Sequence, residues 1–265
     1  MNVSGTILNR ARSKLASGEL ALGLIIRLAR HFEAGGIAAI SDHDFILIDC
    51  QHVSMSRDTV TSLIQGAHSA GVAPIVRVRG YDDPAIPVYL DAGALGLIAP
   101  NINSAVEARA FVDAARFPPI GRRSLPGPVG FLGYQSLGNA SEAAAMDRET
   151  LLLCMIETVQ GLEEHSDIVS VDGVDGLHVG AVDLLSSLGD GRSLADPIFQ
   201  DHMLQIISSC VERGKACGIG GERDLERLRK YINAGAHLLT SQIDATLLID
   251  AATKRTQALR AYLAK

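Results

Sequence analysis

The chain has 265 residues, long for one ordinary domain but normal for a (β/α)8 barrel, for which roughly 250 residues is typical. Its composition is 47% hydrophobic and 20% charged, with 4% aromatic residues and no Trp, so the core must be built from Leu, Ile, Val and Ala, as in buried parallel strands and their covering helices. The net charge of −6 and the scatter of the 24 basic residues argue against nucleic acid or an anionic membrane as a partner. Cys50, Cys154, Cys210 and Cys217 form no C-x-x-C and read as reduced thiols of a cytoplasmic protein. No apolar run approaches the ~18 residues that a membrane span needs.

Short aliphatic or β-branched runs alternate with helical patterns from about residue 20 onward, the mark of parallel strand–helix units. The strand at 22–26 leads to a helix starting near Phe32, and that at 45–49 to one starting near Arg57. The runs at 73–78 and 96–99 precede helices near Ala85 and Ser104. Those at 151–156 and 176–179 precede helices near Val159 and Asp183, and those at 216–219 and 238–241 precede helices near Glu222 and Asp244. Eight units without a dinucleotide fingerprint predict one closed (β/α)8 barrel over 1–265 and not an open doubly wound sheet. The Pro- and Gly-rich stretch 117–147, and the shorter 189–197, exceed plain connections and read as functional loops.

A barrel of this kind builds its site from residues that follow the strands at the C-terminal face. After the second strand come Asp49, Cys50, Gln51 and His52, where a carboxylate could orient an imidazole for proton transfer. The third strand supplies Arg77, a planar cation suited to a carbonyl or enolate oxygen. The fifth ends in Glu157, and the sixth runs through Gly180 to Asp183. Two carboxylates on neighbouring strand ends could hold Mg²⁺ or Mn²⁺ and leave positions open for substrate. Singly, Asp183 reads as a helix cap, Arg77 as a rim ion pair and His52 as a loop histidine. Together at one face they read as a site. The lysines, Lys14, Lys215, Lys230, Lys254 and Lys265, avoid the strand ends, which disfavours Schiff-base chemistry.

The segments FILIDCQHVSMS, PIVRVRG, DAGALGLIAPNINSAVEA, FPPIGRRS, MIETVQGLE, VDGLHVGAVDL and INAGAHLLTSQIDATLL together resemble the HpcH/HpaI family of pyruvate aldolases, which includes 4-hydroxy-2-oxoheptanedioate aldolase and 2-dehydro-3-deoxyglucarate aldolase. The resemblance implies a metal-dependent aldolase that cleaves a 4-hydroxy-2-oxo acid to pyruvate and an aldehyde, or runs the reverse addition. It implies Glu157 and Asp183 as ligands of a divalent ion (Mg²⁺, Mn²⁺ or Co²⁺), and amides of Gly180, Ala181 and Val182 around the pyruvate carboxylate. Arg77 would stabilise the enolate, and His52, oriented by Asp49, would handle the 4-hydroxyl proton through a water on the metal. Two positions depart from the pattern: Gln51 stands where many relatives have Glu, and Met155 where many have Gln.

Other features are less directive. The run 218–221 (GIGG) fits either a phosphate loop or a tight turn. Arg122 and Arg123 could reach a second substrate carboxylate or be merely solvated. His178 reads as a packed core or interface histidine, and the remaining histidines form no metal-spaced set. The last helix, 244–263, carries Leu247, Leu248, Ala251, Ala252, Leu259 and Leu263 at helical spacing, and the resemblance implies its exchange between subunits of a homo-oligomer, commonly a hexamer. Oxaloacetate decarboxylation, or another pyruvate-enolate condensation, remains open as an alternative. So does a non-catalytic small-acid binder.

Overall fold

Eight runs of buried aliphatic residues pair side by side in parallel, in chain order, until the last meets the first. The computed structural model describes residues 9–130, 134, 139–189 and 191–264. In chain order it contains α1 (Arg10–Ala16), β1 (Ala21–Ile26), α2 (Ala34–Ile40), β2 (Phe45–Asp49), α3 (Arg57–Ser69), β3 (Ala73–Arg77), α4 (Ile86–Asp91) and β4 (Gly96–Ala99). There follow α5 (Ala105–Ala115), α6 (Asn139–Glu149), β5 (Leu151–Ile156), α7 (Val159–Ser170), β6 (Gly176–Gly180) and α8 (Ala181–Leu188). The chain closes with α9 (Pro197–Glu212), β7 (Ala216–Gly220), α10 (Leu225–Asn233), β8 (Leu238–Ile243) and α11 (Asp244–Leu263). Among the described residues no helix is long and apolar enough to cross a membrane.

The predicted strands lie within two residues of these bounds. Alternate residues of each strand face the barrel interior. There Phe45, Leu47, Ile75, Ile98, Leu151, Leu153, Met155 and Leu238 form one apolar cluster. The outward set packs against the helices in a second, larger cluster. Caps place the helix starts: the side chains of Ser56, Ser104 and Thr158 accept N–H bonds in the first turns of α3, α5 and α7, as N-cap hydroxyls do.

Three helices were not foreseen: α1, α6 and α9. The stretch 117–147 is in part structural and not a plain loop, because Met146 of α6 packs with Phe117 and Val129. Its residues 131–133 and 135–138, and residue 190 of the second stretch, lie outside the described residues. Asn9, buried, caps α1 and ties it beneath the barrel by donating to the Leu95 and Glu149 carbonyls at 2.7 and 2.8 Å.

Candidate active site

Side chains that follow the strands meet over the C-terminal end of the barrel around a cavity of about 540 Å³, whose walls include Arg27, His52, Arg77, His178, Asp183 and Thr240. A hollow of about 340 Å³ lined by Gln51, His52, Asn101, Glu157 and Asp183 adjoins it. A larger cavity, about 770 Å³, opens at the opposite end, near Arg12, Asp175 and Lys215. Charged groups there are engaged within the fold. Arg12 pairs with Asp175 at 3.0 Å, and Lys215 donates to the Val169 and Val171 carbonyls at 2.6 and 3.0 Å. Volume therefore does not mark the site; the convergence of charged strand-end side chains does, several of them carrying buried polar atoms without protein partners.

Asp49 is fully buried at the end of β2 and organises the cationic side. Arg77 donates to it through Nε at 3.0 Å and Nη2 at 2.7 Å, and Arg27 through Nε at 2.6 Å. Burial raises the Asp49 pKa, but the hydrogen bonds and charges of Arg77 and Arg27 outweigh it and hold the carboxyl below its ordinary range. This corrects the expected role of Asp49: what it bonds in His52 is the backbone N–H, at 3.4 Å, and not the ring. Two arginines compete for its oxygens, so the carboxylate positions Arg77 and leaves the exposed imidazole to other partners. Burial, then the charge of Arg77, lowers the His52 pKa, which keeps the ring neutral at neutral pH. Arg77 keeps Nη1 directed toward Met155 Sδ, at 3.9 Å.

Glu157, just past β5, is buried; Oε1 accepts the Asn101 N–H at 2.8 Å, while Oε2 has no protein partner. Burial pushes its pKa up against that N–H, and the charge of Asp183 adds to the push. Asp183 is exposed in the first turn of α8, which begins at Ala181, two residues earlier than expected. Gly180 caps that helix, and a Cβ there would stand 2.9 Å from Glu157 Oε2. The missing side chain thus brings the strand end against the carboxylate. Gln51 Oε1 is likewise buried without a partner. Among the described residues no group of three or more His, Cys, Asp or Glu could hold a metal. An orphaned carboxylate oxygen beside a second carboxylate fits a hard divalent cation that retains open positions.

The model of the HpcH/HpaI aldolase/citrate lyase family matches residues 28–251. The chain belongs to this family. It is 32% identical to a hydroxypyruvate/pyruvate aldolase of Sagittula stellata, over 93% of this chain and 96% of that one. It is 32% identical to a 4-hydroxy-2-oxovalerate aldolase of Rhodococcus jostii, over 97% of each. A crystal structure of an HpcH/HpaI aldolase/citrate lyase family protein from Burkholderia cenocepacia superposes with a TM-score of 0.84 at 27% identity, covering 96% of this chain and all of that one.

In this family member the expected residues Asp49, Gln51, His52, Arg77, Glu157, Gly180, Ala181, Val182 and Asp183 converge at one end of the barrel. Arg122 and Arg123 do not join them. Arg123 is buried, pairs with Asp91 at 2.6 Å and lies over the Phe117 ring, while Arg122 pairs with Asp113 at 3.3 Å. The GIGG run has a packing reason: a Cβ on Gly221, at φ +91°, would meet Val182 Cγ2 at 2.9 Å.

Among the polar wall residues, sequence reasoning missed Arg27, Arg223 and Thr240, and it did not place His178 in the wall. The strand-end rule applied to LIIRL would have found Arg27, which is held further by Asp244, whose carboxylate accepts the Arg27, Leu28 and Ala29 N–H groups at 3.0, 3.0 and 2.8 Å. His178 is buried, as expected, but neither ring nitrogen has a protein partner. Burial, then Arg77, pushes its pKa down to about 3. The unfolded chain, with a His pKa of about 6.5, therefore takes up this proton first. The sign follows: this contribution to stability is intact above pH 6.5 and declines as pH falls below it, by up to about 1.4 kcal/mol per pH unit. Denaturant titrations at pH 7 and pH 5 should show a steeper acid loss in the native protein than in His178→Phe, by about 2 kcal/mol. Equal slopes would mean that His178 is protonated in the folded state.

Proposed function

We propose that the chain is a carbon–carbon lyase, a class II aldolase that cleaves a 4-hydroxy-2-oxo acid to pyruvate and an aldehyde or runs the reverse addition. The observation that carries this reading is the orphaned, buried Glu157 oxygen beside Asp183, in the hollow that adjoins a cavity whose Arg77 is held by Asp49. Family membership and aldolase relatives at 32% identity support it.

Glu157 and Asp183 would hold Mg²⁺, Mn²⁺ or Co²⁺, which when bound supplies an electron sink at the 2-oxo group. The N–H groups of Gly180, Ala181 and Val182, at the start of α8 where helix amides lack internal acceptors, take the pyruvate carboxylate. His52, neutral at working pH, accepts the 4-hydroxyl proton. The C3–C4 bond breaks, its electron pair passes into the enolate, and Arg77 Nη1 donates to the developing oxyanion. The aldehyde then leaves, and a proton returned to C3 gives pyruvate. Gln51, without a charge of its own, donates or accepts hydrogen bonds beside the carboxylates.

The test is pyruvate release from a panel of 4-hydroxy-2-oxo acids with and without each metal. Metal-dependent release is expected; carbon dioxide from oxaloacetate without aldehyde formation would favour a decarboxylase, and ligand binding without turnover a small-acid binder.

The exposure of α11 supports a homo-oligomer. None of its residues is buried, and Leu248, Ile249, Tyr262 and Leu263 are exposed. A 20-residue helix so placed needs another surface to cover its apolar side chains. We assign it to exchange between subunits of a homo-oligomer, a hexamer in keeping with the family resemblance. Light scattering should give a mass well above the 28.0 kDa chain, and the double variant Leu248→Asp, Leu263→Asp should lower it. A native protein that runs as a monomer would contradict the assignment. The described cysteines are all free and buried, which supports a reducing, cytoplasmic setting.

A further inference from the structure

The floor of the cavity holds two polar side chains that the proposed chemistry does not use. His178 is 1% exposed and Thr240 4%. Both ring nitrogens of His178 and the Thr240 hydroxyl lack protein hydrogen-bond partners, and both residues line the cavity. They converge across β7. A Cβ on Gly218 would stand 2.7 Å from His178 Cδ2, and one on Gly220 2.9 Å from His178 Cε1 and 3.3 Å from Thr240 Oγ1. The imidazole therefore lies against two glycines whose lack of side chains makes room for it, with the threonine hydroxyl at the same place. Around them the wall is apolar: Ile25, Leu47, Met155 and Ile243. Buried polar groups without partners are costly, so a ligand group that satisfies them accounts for their retention in this wall.

The chemistry of the pair defines that group. A neutral imidazole offers one donor and one acceptor, and a threonine hydroxyl can do both. A ligand hydroxyl, itself both donor and acceptor, matches them. A carboxylate, which only accepts, would use the donors of the pair and leave its acceptors unmet, and the cavity's cations, Arg27, Arg77 and Arg223, serve charge recognition instead. Burial and the nearby Arg77 charge keep His178 uncharged.

Position defines which half of the substrate carries the hydroxyl. His178 precedes Gly180 by two residues on β6, so both face inward, with His178 one layer deeper. An aldehyde that reacts with a seated 2-oxo acid approaches from solvent, on the outer side. The deep layer therefore meets the donor.

We propose that His178 and Thr240 form a hydroxyl subsite that favours a 2-oxo acid donor bearing a hydroxyl on carbon 3 over one bearing a bare methyl. This rests on the aldolase reading above and names the specificity residues of that same site.

The test compares hydroxypyruvate with pyruvate as donor, each condensed with acetaldehyde in the presence of Mn²⁺, for the native protein, Thr240→Val and His178→Phe. Dissociation constants of both donors are measured by calorimetry on the same preparations, with folding checked by melting temperature. The hydroxypyruvate-to-pyruvate ratio of kcat/KM should fall about tenfold or more in each variant, because a site built to hydrogen-bond a hydroxyl discriminates on it. A ratio within twofold of native in two folded variants would overturn the subsite. Should the native protein turn over neither donor, the aldolase reading fails, and the ratio of dissociation constants decides the subsite alone: a tenfold shift supports it and no shift overturns it.

Discussion

Glu157→Gln is expected to lower metal-dependent kcat/KM by about a thousandfold or more, since removing the charge that holds a catalytic cation removes the electron sink with it. The substitution is nearly isosteric, and its remaining oxygen can still accept the Asn101 N–H that Oε1 now holds at 2.8 Å. The fold should therefore persist. Stability should move the other way. Glu157 is buried with one oxygen unpartnered, and an uncompensated buried carboxylate opposes folding. Metal-free Glu157→Gln should thus melt higher than the metal-free native protein, by about 2–4 °C for each 1 kcal/mol relieved. Steady-state kinetics and calorimetric melting check the two halves. Lost activity with gained stability is what a residue kept for chemistry gives; a variant that loses both would make Glu157 a structural carboxylate.

Arg77→Lys is expected to reduce kcat by about a hundredfold with a smaller change in KM, the pattern for an interaction made mainly in the transition state. Lysine keeps the charge but cannot reproduce the paired bonds from Nε and Nη2 to Asp49 and still present a third donor to the cavity. Arg77→Met separates charge from shape through pH. The Arg77 charge is among the causes that lower the His52 pKa, second to burial. A base must be unprotonated, so a lowered pKa keeps His52 competent to lower pH. Removing the charge should raise that pKa and move the acid limb of kcat/KM to higher pH, whereas Arg77→Lys should leave the limb in place. A limb that stays put in both variants would exclude His52 as the titrating base. Arg77→Met also takes the bidentate donor from buried Asp49, so it should destabilise the protein by about 3–5 kcal/mol, somewhat less because Arg27 Nε remains at 2.6 Å.

The barrel was legible because each strand is a short aliphatic run and several helices open on a Ser or Thr whose cap bond the structure contains. What period and propensity do not convey is how a long connection folds. Hence α6 was hidden within 117–147, and the Arg123–Asp91 pair was unforeseen. At the site, strand-end position located Asp49, Arg77, Glu157 and Asp183, but not which partners each would choose. Asp49 stands three residues from His52 in sequence, yet two arginines from neighbouring strand ends claim its oxygens. His178 reads from the sequence only as a packed histidine, and its place in the cavity wall was hidden for a different reason. Its alternation places it inward, but only the glycines across from it on β7 reveal that a histidine there is seated in room left by absent side chains, at the cavity wall and without a polar partner.

The proposed chemistry requires that this cavity generate an enolate from a 2-oxo acid, whatever aldehyde accompanies it. Exchange of the pyruvate methyl protons with D₂O, followed by proton NMR with and without Mn²⁺ or Mg²⁺, reports enolate formation without knowledge of the second substrate. Metal-dependent exchange by the native protein is expected, abolished in Glu157→Gln and slowed in Arg77→Lys. Pyruvate that binds to the metal-loaded protein and keeps its protons would rule out enolate formation in this cavity.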